Sequence, residues 1–198
     1  MLPKDRRATF IRKTKETEIE GLLLLEGSGT PDIRTGIPFF DHMLTLFTVH
    51  GFFDLTLTAR GDLDVDYHHT VEDVGLVLGS LFSTALGNRE GICRYGEGTV
   101  PMDEALARVN VDLSNRPYLV YNIPSGIRSS GPFDAWLAKE FFRALSVQAG
   151  MNLHINVFYG ENEHHIIESI FKALGRAMKA ASIIDDRISG HLSSKGVL

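Results

Sequence analysis

The sequence predicts an α+β fold made of one unit used twice, with sheets and helices packed in layers. Three observations predict it. The stretches "DYHHTVEDVG" from Asp66 and "ENEHHIIESI" from Glu161 both carry His-His-x-x-Glu, with first histidines at 68 and 164 and thus 96 positions apart. Around each stands the same order of a helix, a strand and a second helix. Ahead of each repeat lie further runs with strand-like alternation, which two packed α+β halves would pair into sheets.

In chain order, "ATFIRKT" and "IEGLLLLEG" read as a hairpin. "IPFFDHMLTLFTVHG" then reads as a helix, "FFDLTLTAR" as a strand and "HHTVEDVGLVLGSLFSTALG" as a second helix. In the second half "ALARVNVDLS" and "PYLVYNIP" read as another hairpin, turned at "NRP" from Asn115. A helix in "PFDAWLAKEFFRALSVQAG", a strand in "MNLHINVFYG" and a helix in "EHHIIESIFKALGRAMKAAS" complete it. Val71, Val74, Leu78 and Leu81 recur at threes and fours, as do Ile167, Ile170, Phe171 and Leu174, the period of a helix with one buried face. Leu55 and Leu57 alternate with Thr56 and Thr58, and Leu153, Ile155 and Val157 with His154 and Asn156, the period of a half-buried strand. Asp66 and Glu163 lie where a carboxylate suits a helix start. Setting Gly51 against Gly150 aligns the first helices and the strands, and leaves the link to the double histidine three residues longer in the first half. The expected organisation is residues 1–90 as the first repeat, 91–185 as the second, and a polar, Gly-rich tail over 186–198 that stays mobile until something binds it.

Composition narrows the function classes. A net charge of −5 offers no footprint for nucleic acid or an anionic membrane surface; local basic residues can still bind a small anion, so only extended polyanions are excluded. The lone Cys93 excludes an internal disulfide framework and fits a reducing compartment. "MLPKDRRATFIRKTK" is basic without an apolar core behind it, so no signal peptide is expected there, and Leu22 to Leu25 is far too short to cross a bilayer. A cytoplasmic protein is expected.

On a helix, residues four apart share a face, so His68 can meet Glu72 and His164 can meet Glu168. Neighbouring histidines point about 100° apart, so His68 and His69, like His164 and His165, are badly placed to chelate one ion and well placed to serve two. Two metal ions, each taking one histidine from each copy and a glutamate from one, is the economical arrangement. His42 on the preceding helix is a further ligand type, and its counterpart is Phe141 or Glu140, of which only Glu140 binds metal. Imidazole and carboxylate without thiolate suit Mn, Fe, Co, Ni or Zn. One such motif is as easily a solvated turn; two at matched positions in a repeat are not. His154, facing away from its apolar neighbours, is left open as a ligand.

The chain resembles the imidazoleglycerol-phosphate dehydratase family over nearly its whole length. The resemblance rests on "TKET" at Thr14, "GIPFFDHML" at Gly36, "HHTVED" at His68, "PMDEAL" at Pro101, "DLSNRPYLVYN" at Asp112, "GENEHHIIE" at Gly160 and "SSKGV" at Ser193. It implies a duplicated unit with helices against four-stranded sheets, halves like the second domain of ribosomal protein S5. It implies a homo-oligomer in which trimers build a 24-subunit shell, with two Mn(2+) ions in each active site between subunits. One ion would take His42, His69, His164 and Glu168. The other would take His68, Glu72, His165 and a residue of the helix around Lys139 to Phe142, where Glu140 stands in place of the histidine of many relatives. The implied reaction dehydrates D-erythro-imidazole glycerol phosphate to imidazole acetol phosphate in histidine biosynthesis, with the ring held as an imidazolate between the ions. Glu16 is the implied acid or base, with Glu72 and Glu168 as alternatives. Arg94, Arg116, Ser194 and Lys195 would hold the phosphate, with His50 and Ser193 helping, and the tail would close over the site. Leu46 departs from the polar residue of many relatives, which weakens that phosphate contact.

Two other classes use the same ligands: a dinuclear metallohydrolase and a non-catalytic shell glued by metal. Storage needs neither Glu16 nor the arginines nor the tail lysine, and a hydrolase would release phosphate or amine.

Overall fold

The computed structural model describes residues 6–125, 127, 131 and 133–196. The first five residues of the basic amino-terminal stretch, Pro132 at the head of the expected third helix, and Val197 and Leu198 of the tail lie outside the described residues.

The first half runs β1 (Arg7–Lys13), β2 (Thr17–Leu24), β3 (Pro31–Arg34), α1 (Pro38–Gly51), β4 (Asp54–Gly61) and α2 (His68–Leu86). The second runs β5 (Tyr95–Met102), β6 (Ala105–Asp112), β7 (Tyr118–Asn122), α3 (Ala135–Ala149), β8 (Asn152–Tyr159) and α4 (Glu163–Ser182). The sheets have orders β1-β2-β4-β3 and β5-β6-β8-β7, so each third strand lies at an edge, parallel to its neighbour. α2 packs on the first sheet and α4 on the second, while α1 packs against α4 and α3 against α2. Each half therefore contributes a helix to a pair with the other, around one continuous core. Phe40 of α1, Phe141 of α3 and Phe171 of α4 meet there, with ring centroids 5.2 Å apart for the first two and 5.4 Å for the last two.

The expected first hairpin is β1 and β2, paired from Arg7↔Leu24 to Lys13↔Glu18. The second hairpin differs: β6 turns back on β5, which the alternation did not reveal, and β7 runs parallel to β8 instead of pairing with β6. "YGEGTVPM" reads poorly as a strand because of its glycines, yet the packing demands them. A Cβ at Gly96 would lie 1.9 Å from the Ala177 carbonyl oxygen and one at Gly98 2.2 Å from that of Ala173, both on α4. β3 escaped notice because it has four residues and begins with proline.

The internal alignment moves by one residue. α1 ends with Phe52 in the left-handed region (φ 54°) and α3 ends with Gly150 there (φ 62°), each donating to carbonyls three and four residues back. Phe52 thus matches Gly150, an offset of 98, against 96 for the double histidines. The link to α2 is two residues longer than its counterpart, not three, and His42 matches Glu140, each ten residues before its cap. The helix contacts repeat under the same offsets. A Cβ at Gly79 would lie 2.9 Å from Leu145 O and Ala149 N, and one at Gly175 would lie 2.4 Å from Phe47 O and 3.0 Å from Gly51 N. Gly175→Ala is expected to destabilise the fold by about 1–3 kcal/mol, because the obstacle is backbone; urea unfolding of the variant measures it.

Among the described residues, no helix is long and apolar enough to cross a membrane.

Candidate active site

α4 starts with Asn162 as its cap, whose side chain accepts from the His164 N–H at 2.9 Å, and α2 starts beside Asp66, which accepts from the His68 N–H at 2.7 Å. Asp66 acts as the sequence suggests. Glu163 is instead the first residue of α4, buried, and accepts from the Ala135 N–H at 3.0 Å, tying the starts of α3 and α4 together.

Because α1 packs against α4, His42 reaches the motif of the other half. His42 Nε2 lies 3.4 Å and His164 Nε2 3.2 Å from the same oxygen of Glu168, Oε2. These three form the group of imidazoles and carboxylates that converges tightly enough for one ion, its donor atoms all within 4.8 Å of one another among the described residues. Donors at right angles on an ion with bonds of about 2.1 Å stand about 3 Å apart, so the set fits a divalent cation. The other Glu168 oxygen accepts from Lys172 Nζ at 2.6 Å. Burial raises the Glu168 pKa, but Lys172, His164 and His42 together outweigh it and hold the carboxyl below its usual range. His50 is on α1 near Lys172 and Arg176; burial first, then these two cations, lowers its pKa.

The pseudo-equivalent cluster is looser. His68 Nε2 lies 3.5 Å from Glu72 Oε2, and His68 shares with Glu140 and Trp136 a cavity of about 370 Å³ between α2 and α3. Glu140 also pairs with Arg143 at 3.3 Å. His154 points out from the second sheet, exposed between buried Leu153 and Ile155.

Among the described residues, neither His69 nor His165 joins either of these sets. His69 Nδ1 lies 3.0 Å from Asp62 Oδ2 and 3.9 Å from Glu16 Oε2. His165 Nδ1 lies 2.6 Å from Glu104 Oε2, and its Nε2 3.7 Å from Asp103 Oδ2. Asp62 raises the His69 pKa and Glu104 that of His165. Glu104 is held down at about 2, by the Asn162 N–H first and then by His165, and Asp185 at about 2 by Arg187. Both carboxylates therefore favour the folded state fully above their ordinary values of 4.5 and 3.8, and that contribution is lost as pH falls through about 2. Metal-free protein is expected to lose melting temperature as pH drops from 4.5 towards 2, and the double variant E104Q/D185N to lose less over the same interval.

Arg94, Arg116, Ser193, Ser194 and Lys195 come together around a cavity of about 760 Å³. Arg94 is committed elsewhere: it donates to both oxygens of Asp112, at 2.7 and 3.1 Å, and to Leu192 O at 2.7 Å, which pins the tail. His191 adds a contact to Asn88 O at 2.8 Å. Arg116 and Lys195 are exposed, and Leu46 is packed partly into the core. Sequence reasoning missed Lys172, although its spacing of four from Glu168 was a readable signal, and it left Asp62 and Glu104 unassigned.

The fold and this site define a class: duplicated α+β enzymes that present paired imidazoles and carboxylates from a helix layer shared by both halves. The family model described as imidazoleglycerol-phosphate dehydratase matches residues 35–178. An imidazoleglycerol-phosphate dehydratase from Desulfosudis oleivorans is 60% identical over 98% of this chain and 99% of its own, and one from Desulfotalea psychrophila is 56% identical over 100% and 99%. Among solved structures, the enzyme of that name from Staphylococcus aureus superposes with a TM-score of 0.80 at 38% identity, covering 90% of this chain and 99% of its own. IGPD from Pyrococcus furiosus in complex with (S)-C348 gives 0.84 at 37%, covering 96% and 100%. The chain belongs to the imidazoleglycerol-phosphate dehydratase family. It is an enzyme of the hydro-lyase class, placed by that membership in histidine biosynthesis.

Proposed function

We propose that the active site holds two Mn(2+) ions and dehydrates imidazole glycerol phosphate to imidazole acetol phosphate between subunits of a homo-oligomer. The observation that carries this is the convergence of His42, His164 and Glu168 on one point, with His68, Glu72 and Glu140 as its pseudo-symmetric counterpart. Each set lacks one imidazole, and the two histidines of the repeated motif left over, His69 and His165, sit outside both. A neighbouring copy supplying His69 to the first set and His165 to the second would complete four ligands on each, which supports a homo-oligomer with sites shared between copies; the family resemblance is what suggests trimers building a shell.

The two sets would hold the ions, which would supply Lewis acidity to the imidazole ring. The chain's residues do the rest. The hydroxyl on the carbon beside the ring leaves as water after taking a proton. A base removes the proton from the next carbon, the electron pair of that C–H bond forms the double bond of an enol in place of the broken C–O bond, and the enol becomes the ketone. Glu16, exposed in the β1–β2 loop beside His69, is the carboxylate free to carry such a proton. Glu168 is bound by Lys172 and two imidazoles, and Glu72 by His68, so both serve better as ligands. Arg116 and Lys195 supply charge to the phosphate, Ser193 and Ser194 hydroxyls donate to it, and Arg94 holds the tail where it can close.

The deciding experiment incubates metal-loaded protein with imidazole glycerol phosphate and follows ketone and inorganic phosphate together. Ketone without phosphate is expected. Phosphate release indicates a hydrolase, and full metal occupancy without turnover a storage shell. Chelation is expected to reduce the particle to smaller units by light scattering; an unchanged size after complete metal removal contradicts ions that bridge subunits.

A further inference from the structure

The duplication places two glutamates at one position. β1 and β2 pair through Arg12↔Ile19 and Lys13↔Glu18, and β5 and β6 through Val100↔Ala107 and Pro101↔Leu106. A shift of 88 carries each of these residues onto its counterpart, and so carries Glu16 onto Glu104. Both stand in the hairpin loop of their half. The motif offset of 96 carries His69 onto His165, so each loop glutamate faces the second histidine of its own half. The two contacts differ. Glu104 Oε2 is 2.6 Å from His165 Nδ1, whereas Glu16 Oε2 is 3.9 Å from His69 Nδ1, beyond hydrogen bonding. At His69 the closer carboxylate is that of Asp62, at 3.0 Å, from the link that is two residues longer than its counterpart.

We infer that Glu104 is a positioning residue for His165, that Asp62 does the same for His69, and that this exchange leaves Glu16 free for proton transfer. A ligating histidine commonly donates its other ring N–H to a carboxylate, which fixes the tautomer and aims the remaining nitrogen at the ion. Glu104 is built to do so. Its Oε1 accepts from the N–H groups of Asn162, at 2.8 Å, and Glu161, at 3.2 Å, which leaves Oε2 for the ring. The proton then sits on Nδ1 and the lone pair on Nε2, whose nearest carboxylate, Asp103, is 3.7 Å away and makes no hydrogen bond. The inference rests on the two-ion reading above.

Glu104→Gln separates this role from mere anchoring of the loop before α4. The amide oxygen can still accept from Asn162 and Glu161, while the NH₂ group turned towards Nδ1 would force the proton onto Nε2. Metal-free E104Q is expected to stay folded at neutral pH with a modestly lower melting temperature, the charged carboxylate's contribution being lost, and with ¹⁵N shifts showing His165 in the other tautomer. Titrated with Mn(2+), it should bind one of its two ions about 10–100-fold more weakly, and Asp62→Asn should do the same to the other ion. Wild-type affinity for both ions in E104Q and D62N would overturn the inference and leave the two-ion reading standing. Wild-type protein that takes up no divalent ion would overturn that reading, and the inference with it.

Discussion

Replacing Glu16 by glutamine is expected to lower turnover by about 10²–10⁴-fold, the usual worth of a general acid or base, while fold and metal content stay as they are. Hydrogen bonds that leave the carboxylate out hold the loop. Thr14 Oγ1 accepts from the N–H groups of Glu16, at 3.1 Å, and Thr17, at 2.9 Å, and Asp62 N–H donates to Glu16 O at 3.1 Å. Thr17 also donates its hydroxyl to Asp73 of α2, fastening the hairpin to the helix that carries His68 and His69. The Glu16 side chain is 56% exposed, so glutamine leaves no buried group unpaired. Steady-state rates beside a thermal melt and a metal count test this. A variant with the wild-type rate would take Glu16 out of the proton transfer.

Glu168→Gln is expected to cost more, because two tasks fall on one buried carboxylate. Its Oε2 faces both imidazoles and its Oε1 holds Lys172, whose side chain is only 16% exposed. The variant should lose one ion per chain and turnover by at least about 10³-fold, a ligand and its charge being lost together. Metal-free, it should also lose about 2 kcal/mol, less than a fully buried pair would because Lys172 keeps some water. Adding Lys172→Met should restore stability without restoring metal, which divides the two tasks in a double-mutant cycle. Retention of both ions by E168Q would contradict its place among the ligands.

Most elements were legible because their periods are strong. The helix carrying Val71 to Leu81 shows its period in its large aliphatics, although it is buried on nearly every side between the first sheet and α3, and the strand carrying Leu153 to Val157 buries alternate residues. β5 was hidden because Gly96 and Gly98 are chosen for the closeness of α4, a tertiary demand that lowers local strand propensity. The false β6–β7 hairpin arose because a turn at Asn115 looks alike whether the next strand pairs antiparallel or passes beyond to an edge. At the site, the spacing of four made His68–Glu72 and His164–Glu168 predictable, and helix packing alone brought His42 to the second of these. Matching His42 to Glu140 waited on the helix caps, since a glycine and a phenylalanine share the left-handed position.

The helix pairing across halves has a historical reading. Each of the two proposed ligand sets draws on one helix from either half, so neither half alone would own a complete set. A half-length chain could present such a set only by pairing with itself, and its two sets would then be identical by necessity. Joining the copies into one chain lifts that necessity. His42 against Glu140, and Glu16 against Glu104, are places where this chain has used the freedom: an imidazole opposite a carboxylate, and a free glutamate opposite one that is tied.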